Sequence, residues 1–413
     1  MNNKKVVAFV EPSFYGVGFV RAASDLGHKI ISIVSSKNNP KEYGYEGLYD
    51  DIIIADVRDE ESIFNAIKNS KYYGKLHALI PAADYVSAIT AKVAERLGLK
   101  GIPYEAEVKS RNKDLAREAY KENGVPSAKF KKVKNYVEAK KAVEEIGYPV
   151  ILKPTNCESS QNVFFINNNL ELQNAVECMS NFKESYMGFK VRKEFLIEEY
   201  LQGQEFSIEV FLHNGEKVFS SVTEKIVSKL PYFVETAHIV PTSVYLDKQN
   251  DIIDVAIMAV KALGIMNGPS HVEVKLSKTG PRLIEVNGRP GGDNISSDLL
   301  INALGIDLFK ATINYYLDDA ISLKPSQHKA AAVAYLIAKK DGILSKVNGL
   351  DDLKNNKNVI RYNMDLKSGD AIRKAQNSDE RLGYIIVKAD SPKEAKKMAL
   401  DSINKLEIVY MKN

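Results

Sequence analysis

The residues best suited to metal chemistry lie in one stretch of the chain, between positions 268 and 294. Two segments with alternating apolar and polar residues, 271–276 and 282–286, flank a Lys-Thr-Gly-Pro turn. This alternation predicts a β-hairpin. Because side chains on a strand point alternately to its two faces, antiparallel pairing about the turn can place Glu273 beside Glu285.

Two neighbouring carboxylates repel each other unless a cation or a proton lies between them. Mg²⁺ is a suitable cation, because it takes oxygen ligands and is commonly held by one or two carboxylates together with phosphate oxygens. Asn287 can add a neutral oxygen, and Arg289 can bind a phosphate or carboxylate through two hydrogen bonds. The glycines that follow favour a ligand close to the backbone. The alternative is a hairpin with ordinary solvated charges.

The composition excludes several classes of protein. The 413 residues include 57 Lys and Arg against 53 Asp and Glu, with no basic block, so we expect no nucleic-acid partner. The two cysteines, Cys157 and Cys178, have neither a metal-binding spacing nor the pattern of a disulfide framework. We see no signal peptide and no apolar run long enough to span a bilayer, which predicts a cytoplasmic protein without a membrane partner. The length predicts about three domains.

The first part of the chain alternates between predicted strands and predicted helices. Strands are expected at 5–10, 30–34, 51–55 and 76–81, and helices at 16–27, 60–68 and 86–97. Such alternation predicts an α/β fold with a parallel, Rossmann-like sheet. Gly16 and Gly18 follow the first strand, but Arg21 stands where a dinucleotide site has its third glycine. A tight turn without a cofactor is therefore favoured over a dehydrogenase.

The remainder of the chain predicts smaller α+β units. Helices at 113–123 and 136–146, with strands at 149–154 and 163–166, are expected to form a lid. Further predicted elements are strands at 195–201 and 206–212, a helix at 251–263, a helical segment at 298–317 broken at Gly305, strands at 330–337 and 384–387, and a last helix capped by Ser391.

The stretch from Glu273 through Ile-Glu-Val-Asn-Gly-Arg-Pro-Gly-Gly resembles the metal-binding signature of the ATP-grasp superfamily. Three earlier segments match landmarks of that family in the same order: Arg-Asn-Lys at 111–113, Tyr-Pro-Val-Ile-Leu-Lys-Pro at 148–154, and residues 195–211. The resemblance implies an N-terminal Rossmann-like domain at 1–110, an ATP-grasp lid at 111–195, a central subdomain at 196–323 and a C-terminal α+β subdomain at 324–413.

The resemblance also implies cofactors and residue roles. ATP and Mg²⁺, with Mn²⁺ as an alternative, are the implied cofactors. The metal ligands would be Glu273, Glu285 and Asn287, and the catalytic cations Lys153 and Arg289. Lys153 would reach phosphate oxygens, Glu198 and the backbone at Glu199 and Leu201 would contact adenine, and Glu205 the ribose. The complete nucleotide-binding set is Lys113, Lys153, Ser159, Ser160, Glu198, Glu199, Leu201 and Glu205.

The loop at 155–162 departs from the family because it contains no glycine. Glycine and serine in this loop let backbone N–H groups wrap phosphates. Ser159 and Ser160 can still donate hydrogen bonds, whereas Glu158 would repel phosphates unless it points away. Slow lid closure, a role in substrate selection and loss of activity all stay open at this point.

A Glu-x-x-His-x-x-Pro run that begins at Glu235 resembles that of the L-amino-acid ligases, the bacilysin-type dipeptide synthetases. Glu235 and His238 cannot share one face of a regular strand, so a bend must bring them together. Asp293 is expected either to cap the helix near Ser296 or to face a substrate cation, and the cap is favoured. The implied substrate-binding residues are Glu235, His238, Arg289, Gly291, Gly292 and Asp293.

These features predict an ATP-dependent ligase that joins an amino acid to a second amino acid or amine. By family resemblance, an acyl phosphate forms first, and ADP and phosphate are released. The expected partners are small-molecule substrates, and a homodimer is one option for the assembly. Alternatives are an ATP-grasp carboxylase or purine-pathway enzyme, a sensor that binds ATP without turnover, and a Rossmann dehydrogenase.

Overall fold

The computed structural model describes residues 4–364 and 366–411. The N-terminal part is a four-stranded parallel sheet, as predicted, and the structure places the strands in the order third, second, first and fourth. Its strands are β1 (Val6–Val10), β2 (Lys29–Val34), β3 (Asp51–Ile54) and β4 (Ala78–Pro81). Its helices are α1 (Val17–Asp25), α2 (Asn39–Glu42), α3 (Glu60–Lys68), α4 (Ser87–Arg96) and α5 (Tyr104–Arg111), of which α2 and α5 were not predicted.

Packing explains the glycines that follow β1. A Cβ atom at Gly16 would lie 1.8 Å from the carbonyl oxygen of Ala82, and one at Gly18 would lie 2.6 Å from the ring of Phe309. Both positions therefore require the absence of a side chain for close contact with neighbouring elements, independently of any nucleotide.

A second, antiparallel sheet has strand order β5-β8-β6-β7. The polar Asn135 caps the second helix of this unit by accepting from the backbone N–H of Glu138, as predicted. The apolar faces of two helices cover the sheet and bury Val143, Val176 and Ile197 in one core. The elements are α6 (Lys113–Glu122), β5 (Phe130–Val133), α7 (Tyr136–Ile146), β6 (Val150–Pro154), β7 (Phe164–Ile166), α8 (Asn169–Asn181) and β8 (Phe195–Glu199).

The largest sheet has eight antiparallel strands in the order β13-β12-β9-β10-β11-β14-β18-β16. It includes strands from both sides of position 324, and the division of the chain into four units stays a prediction. The strands are β9 (Gln204–His213), β10 (Glu216–Val227), β11 (Glu235–Val240), β12 (Gly268–Ser277), β13 (Gly280–Asn287), β14 (Ala330–Leu336), β16 (Val359–Asn363) and β18 (Gly383–Ala389).

Helices and a small sheet complete the fold. The helices are α9 (Gln249–Ala262), α10 (Leu300–Leu304), α11 (Leu308–Tyr316), α12 (Leu350–Lys354) and α13 (Pro392–Asn404). The small sheet joins β15 (Gly342–Asn348) to β17 (Ala371–Ile372) and β19 (Glu407–Tyr410). Gly305 ends α10 with a φ of 71°, which confirms the predicted break, and the side chain of Ser391 caps α13 as predicted. Among the described helices, none combines the length and apolarity that crossing a bilayer requires.

The predicted hairpin is confirmed. Strands β12 and β13 pair antiparallel, and Glu273 lies directly opposite Glu285 in the register. On the other side, β12 pairs with β9, which brings Ser207 beside Glu273. The hairpin therefore forms the edge of the large sheet. Its polar face points towards the sheet formed by β5, β8, β6 and β7, which we call the lid sheet.

Candidate active site

A cleft of about 850 Å³ lies between the lid sheet and the polar face of the large sheet. Loops of the N-terminal part and residues near β18 close its remaining sides. The predicted site residues that line it are Lys113, Lys153, Ser159, Ser160, Glu198, Glu199, Leu201, Glu205, Glu235, His238, Glu273, Glu285, Asn287, Arg289, Gly292 and Asp293. Residues from separate parts of the chain are thus brought together around one space.

Gly291 is the predicted site residue that does not line the cleft. Its backbone N–H donates to Glu209 at 2.8 Å, and a Cβ atom there would lie 2.2 Å from the same carboxylate. Glu209 is fully buried and forms an ion pair of 2.5 Å with His271. Burial alone would lower the pKa of His271, but Glu209 raises it to about 9. Gly291 therefore anchors the turn after β13 on this buried pair.

Two cations and one carboxylate meet on the lid side of the cleft. The Nζ of Lys153 on β6 lies 2.7 Å from Glu198 on β8. Arg117 on α6 donates to the same carboxylate at 2.7 and 3.1 Å. Burial would raise the pKa of Glu198, but Arg117 and then Lys153 lower it to about 2. The group carries one excess positive charge, which suits a site for phosphate oxygens.

Arg117 was not predicted from the sequence. It is 2% exposed, and its guanidinium also donates to the carbonyl oxygen of Ile284 on β13 at 2.8 Å. No clear sequence signal marked it, because charged residues of an amphipathic helix usually face solvent. Arg117 connects the lid sheet to the hairpin.

Lys113 connects the loop at 155–162 to the hairpin. Its Nζ lies 3.1 Å from Glu285 and donates to the carbonyl oxygen of Cys157 at 2.7 Å. Within the loop, Ser159, Ser160 and Asn162 have φ angles of 55°, 59° and 52°. Glycine adopts such left-handed conformations without strain, whereas other residues adopt them at a cost. The glycine-free loop thus has backbone conformations that a glycine-rich loop would favour.

The donor set of the hairpin fits Mg²⁺. Glu273 and Glu285 are register partners, and Asn287 follows on the same strand two residues later. All three line the cleft, so carboxylate and amide oxygens face the same space. This is the oxygen-rich ligand chemistry that Mg²⁺ prefers.

Arg289 is held by a residue that the sequence did not point to. Its guanidinium forms a two-bond ion pair with Asp84 in the loop after β4, with one Nη2–Oδ2 distance of 2.7 Å. The guanidinium also lies over the ring of Tyr15, 4.6 Å from its centroid. Burial would raise the pKa of Asp84, but Arg289 lowers it below its usual range. The N-terminal part therefore positions a cation of the central part.

Glu235, His238 and Asp293 form a compact cluster in which one ligand atom from each residue lies within 4.8 Å of the others. The Nε2 of His238 lies 3.3 Å from Glu235 and 3.3 Å from Asp293. The register between β10 and β11 shifts at Val227, opposite Glu235. This bulge supplies the bend that the sequence required, because it turns two residues three positions apart towards the same space.

The prediction that Asp293 caps the following helix is wrong. The helical turn Ile295–Leu299 begins after Asn294, and no side chain caps it. The carboxylate of Asp293 instead accepts from Arg381 at 2.7 and 2.9 Å. Burial would raise the pKa of Asp293, but Arg381 holds it well below its usual range. A two-bond ion pair in a closed site is stronger than a capping bond, and Arg381 lies too far away in the chain to be anticipated.

Lys225 is a fourth site residue that the sequence analysis missed, after Arg117, Asp84 and Arg381. Its Nζ lies 2.6 Å from Glu235, 2.8 Å from Glu273 and 2.9 Å from Glu205. Burial would lower the pKa of Lys225, but the carboxylates, Glu235 foremost, raise it well above its usual range. No clear signal in the sequence marked it, because the strand that carries Lys225 was itself not predicted.

Comparison with known proteins places the chain in a class. The family description "ATP-grasp domain" matches residues 146–298, and "L-amino acid ligase C-terminal domain 2" matches residues 334–411. The chain resembles ATP-grasp ligases in these two segments, which cover part of its length, and its α/β fold is the ATP-grasp fold.

Two curated relatives show how far the similarity extends along the chain. The alanine–anticapsin ligase of Bacillus subtilis (strain 168) is 30% identical over 266 residues, which are 60% of this chain and 56% of that protein. The phosphoribosylamine–glycine ligase of Caldanaerobacter subterraneus subsp. tengcongensis is 27% identical over 341 residues, 77% of this chain and 79% of that protein. The matches to the first two curated relatives span 64% and 56% of their lengths.

A solved structure matches the whole chain. The crystal structure of an L-amino acid ligase from Bacillus licheniformis superimposes with a TM-score of 0.84 at 22% identity, covering 100% of both chains. At this identity the likeness establishes the fold. The chemistry must therefore be argued from the site itself.

Proposed function

We propose that this chain is an ATP-dependent carboxylate–amine ligase that joins the carboxylate of one amino acid to the amino group of a second amino acid or amine. An acyl phosphate would form first, and the products would be the amide, ADP and phosphate. The similarity to L-amino acid ligases supports this choice over a carboxylase, and ATP, Mg²⁺ and the predicted residue roles are part of the proposal.

One observation carries the proposal: the cleft has a cationic end and an acidic end on either side of the hairpin carboxylates. The cationic end holds Lys153 and Arg117 around a single carboxylate. The acidic end holds the two carboxylates of Glu235 and Asp293 around His238. Because Lys225 and Arg381 pair with these carboxylates, an ammonium group would share them with resident cations. A triphosphate suits the first end and an ammonium group suits the second, so both partners of an amide-forming reaction can meet at the hairpin.

The side chains have distinct tasks in this proposal. Lys153 and Lys113 neutralise phosphate oxygens, and Glu273, Glu285 and Asn287 would hold Mg²⁺, which supplies charge neutralisation at the transferring phosphoryl group when it is bound. Arg289 orients the carboxylate that is activated. Glu235 and Asp293 bind the ammonium group, and His238, whose Nε2 lies 3.3 Å from each carboxylate, holds the two side chains together. The loop at 155–162 excludes water from the acyl phosphate.

The test is a screen of amino-acid pairs with ATP and MgCl₂, read by phosphate release and by mass spectrometry of the amide. We expect one or more pairs to yield ADP, phosphate and a dipeptide-type product in equal amounts. Reactions that lack either amino acid, and reactions with bicarbonate in place of the first carboxylate, are the controls. Release of AMP and pyrophosphate would exclude the acyl-phosphate route, and turnover only with bicarbonate would favour a carboxylase.

A binding-only protein is distinguished in the same experiment. A sensor would bind ATP and release no phosphate with any pair, whereas a ligase turns over when both substrates are present. The Glu285→Gln variant is the matched control for turnover. It removes one charge from the proposed metal site and leaves the side-chain volume nearly unchanged, so phosphate release by a ligase should fall in this variant.

A further inference from the structure

Lys225 lies between three carboxylates that belong to three different predicted ligand sites. Glu205, on β9, is the predicted ribose contact; Glu235, on β11, is the predicted ammonium contact; and Glu273, on β12, is a predicted metal ligand. Their oxygens lie 2.9, 2.6 and 2.8 Å from the Nζ of Lys225, respectively. A single ammonium group on β10 thus joins the three sites.

Each of the three carboxylates has a second cationic neighbour, but at a longer distance. These contacts are Lys275 with Glu205 at 3.4 Å, His238 with Glu235 at 3.3 Å, and His271 with Glu273 at 3.8 Å. Among the residues that the structure describes, Lys225 is the cation within salt-bridge distance of all three. It is therefore the shared counter-ion of the cleft.

The position of Lys225 makes its charge effective. The side chain is 2% exposed, so water screens little of its attraction to the carboxylates. Without this ammonium group, three carboxylates would converge on a nearly dry space and repel one another. A resident cation at this place keeps their side chains in position before any ligand arrives.

Resting on the function proposed above, we propose that Lys225 is a positioning residue that holds Glu205, Glu235 and Glu273 ready for their ligands and opposes Mg²⁺ binding until a nucleotide is present. The Nζ lies 2.8 Å from Oε1 of Glu273, and its charge disfavours a second cation on that carboxylate. The phosphates of a nucleotide add negative charge and oxygen ligands, which shift the balance in favour of the metal. Metal and nucleotide would therefore bind together.

The test measures Mg²⁺ binding to the nucleotide-free protein. MgCl₂ is titrated into the wild type and into Lys225→Met, with isothermal calorimetry and the melting temperature as readouts. We expect no saturable binding to the wild type. Lys225→Met should show saturable Mg²⁺ binding, at least about tenfold tighter than the upper limit set by the wild-type titration, because a neighbouring positive charge has been removed. Its melting temperature should be lower than that of the wild type without Mg²⁺ and should rise when Mg²⁺ is added.

Two matched variants separate this role from a structural one. Lys275→Met also removes a buried lysine charge, but Lys275 contacts Glu205 and lies among no metal-binding oxygens in the salt bridges described. It should show no gain in Mg²⁺ binding. Lys225→Arg keeps the charge and should behave like the wild type in the Mg²⁺ titration. A lysine that only supported the fold would lower the melting temperature of Lys225→Met without making it respond to Mg²⁺.

If Lys225→Met does not fold, the double variant Lys225→Met/Glu205→Gln keeps the net charge of the cluster and retains both metal-binding carboxylates. It should bind Mg²⁺ without nucleotide. The inference would be overturned if Mg²⁺ bound no more tightly to Lys225→Met, or to the double variant, than to the wild type. It would also be overturned if Lys275→Met gained as much Mg²⁺ affinity as Lys225→Met.

The outcome is separable from that of the ligase assay. Mg²⁺ binding by Lys225→Met with no ADP from any amino-acid pair in the wild type would reject the proposed function and retain the counter-ion role. ADP formation by the wild type without a gain of Mg²⁺ binding in Lys225→Met would reject the counter-ion role alone.

Discussion

The group formed by Lys153, Arg117 and Glu198 allows a nucleotide-binding role to be separated from a structural one. It contains two cations and one carboxylate, all buried. Lys153→Met removes the excess positive charge and leaves Glu198 with two hydrogen bonds from Arg117, at 2.7 and 3.1 Å. The variant loses the ion pair between Lys153 and Glu198, but it no longer has to bury an ammonium group. Burial of that group is costly, as the lowered pKa of Lys153 shows, so the two effects largely cancel. We expect the melting temperature of the nucleotide-free protein to change little.

The variant Glu198→Gln should behave in the opposite way. It leaves Arg117 and Lys153 buried side by side without a counter-ion. Breaking a buried ion pair by removing one partner typically costs about 3–5 kcal/mol. The melting temperature and the urea midpoint of Glu198→Gln should therefore fall well below those of the wild type and of Lys153→Met.

ATP binding supplies the second readout. A hydrogen bond to a charged group contributes about 1.5–3 kcal/mol, so Lys153→Met should weaken ATP binding by about 10- to 150-fold. Affinity can be measured by displacement of a fluorescent nucleotide in the presence of MgCl₂. If Lys153→Met destabilised the nucleotide-free protein as much as Glu198→Gln, or left ATP affinity unchanged, Lys153 would be a structural residue and this reasoning would be refuted.

Three further predictions concern two residues of the cleft and one buried carboxyl group outside its lining. Glu285→Gln should reduce kcat severely and raise the Mg²⁺ concentration required for half-maximal rate, measured by ADP release; an unchanged Mg²⁺ dependence would remove Glu285 from the metal site. Asp293→Asn should lower kcat/KM for polar or basic first substrates by about 1–3 kcal/mol and spare small apolar ones, whereas a uniform fall would indicate that Asp293 only anchors Arg381. Glu107 is 2% exposed, and burial raises its pKa from 4.5 to about 7. Its contribution to stability is therefore present below the unfolded pKa and lost as pH rises towards 7, by about 3 kcal/mol. Glu107→Gln should flatten the urea midpoint over this pH range, and an unchanged pH profile would contradict the assignment.

The parts of the structure that follow local rules could be predicted from the sequence. Alternation about the Lys-Thr-Gly-Pro turn predicted the hairpin, including the pairing of Glu273 with Glu285. Asn135 and Ser391 marked helix starts because their side chains satisfy nearby backbone N–H groups. The long strand β10 was missed, since its exposed first half and buried second half do not give a uniform alternation.

In the candidate site, too, some residues could be found from the sequence and others only from the structure. The resemblance to family motifs pointed to residues such as Lys153 and Arg289, but it did not point to the partners that hold them. Arg289 pairs with Asp84, which lies 205 residues away in the chain, and Asp293 pairs with Arg381, which lies 88 residues away.

By itself, the sequence determined the alternating strands and helices of the N-terminal part and the hairpin that carries the predicted metal ligands. Those features depend on strand periodicity, capping and turns, which act over a few residues. Only the tertiary structure decided that Lys225 joins three carboxylates, that Arg117 shares Glu198 with Lys153, and that a bulge brings Glu235 to His238. Charge pairing of this kind depends on which strands become neighbours and on how far water is excluded, and both are properties of the assembled sheets.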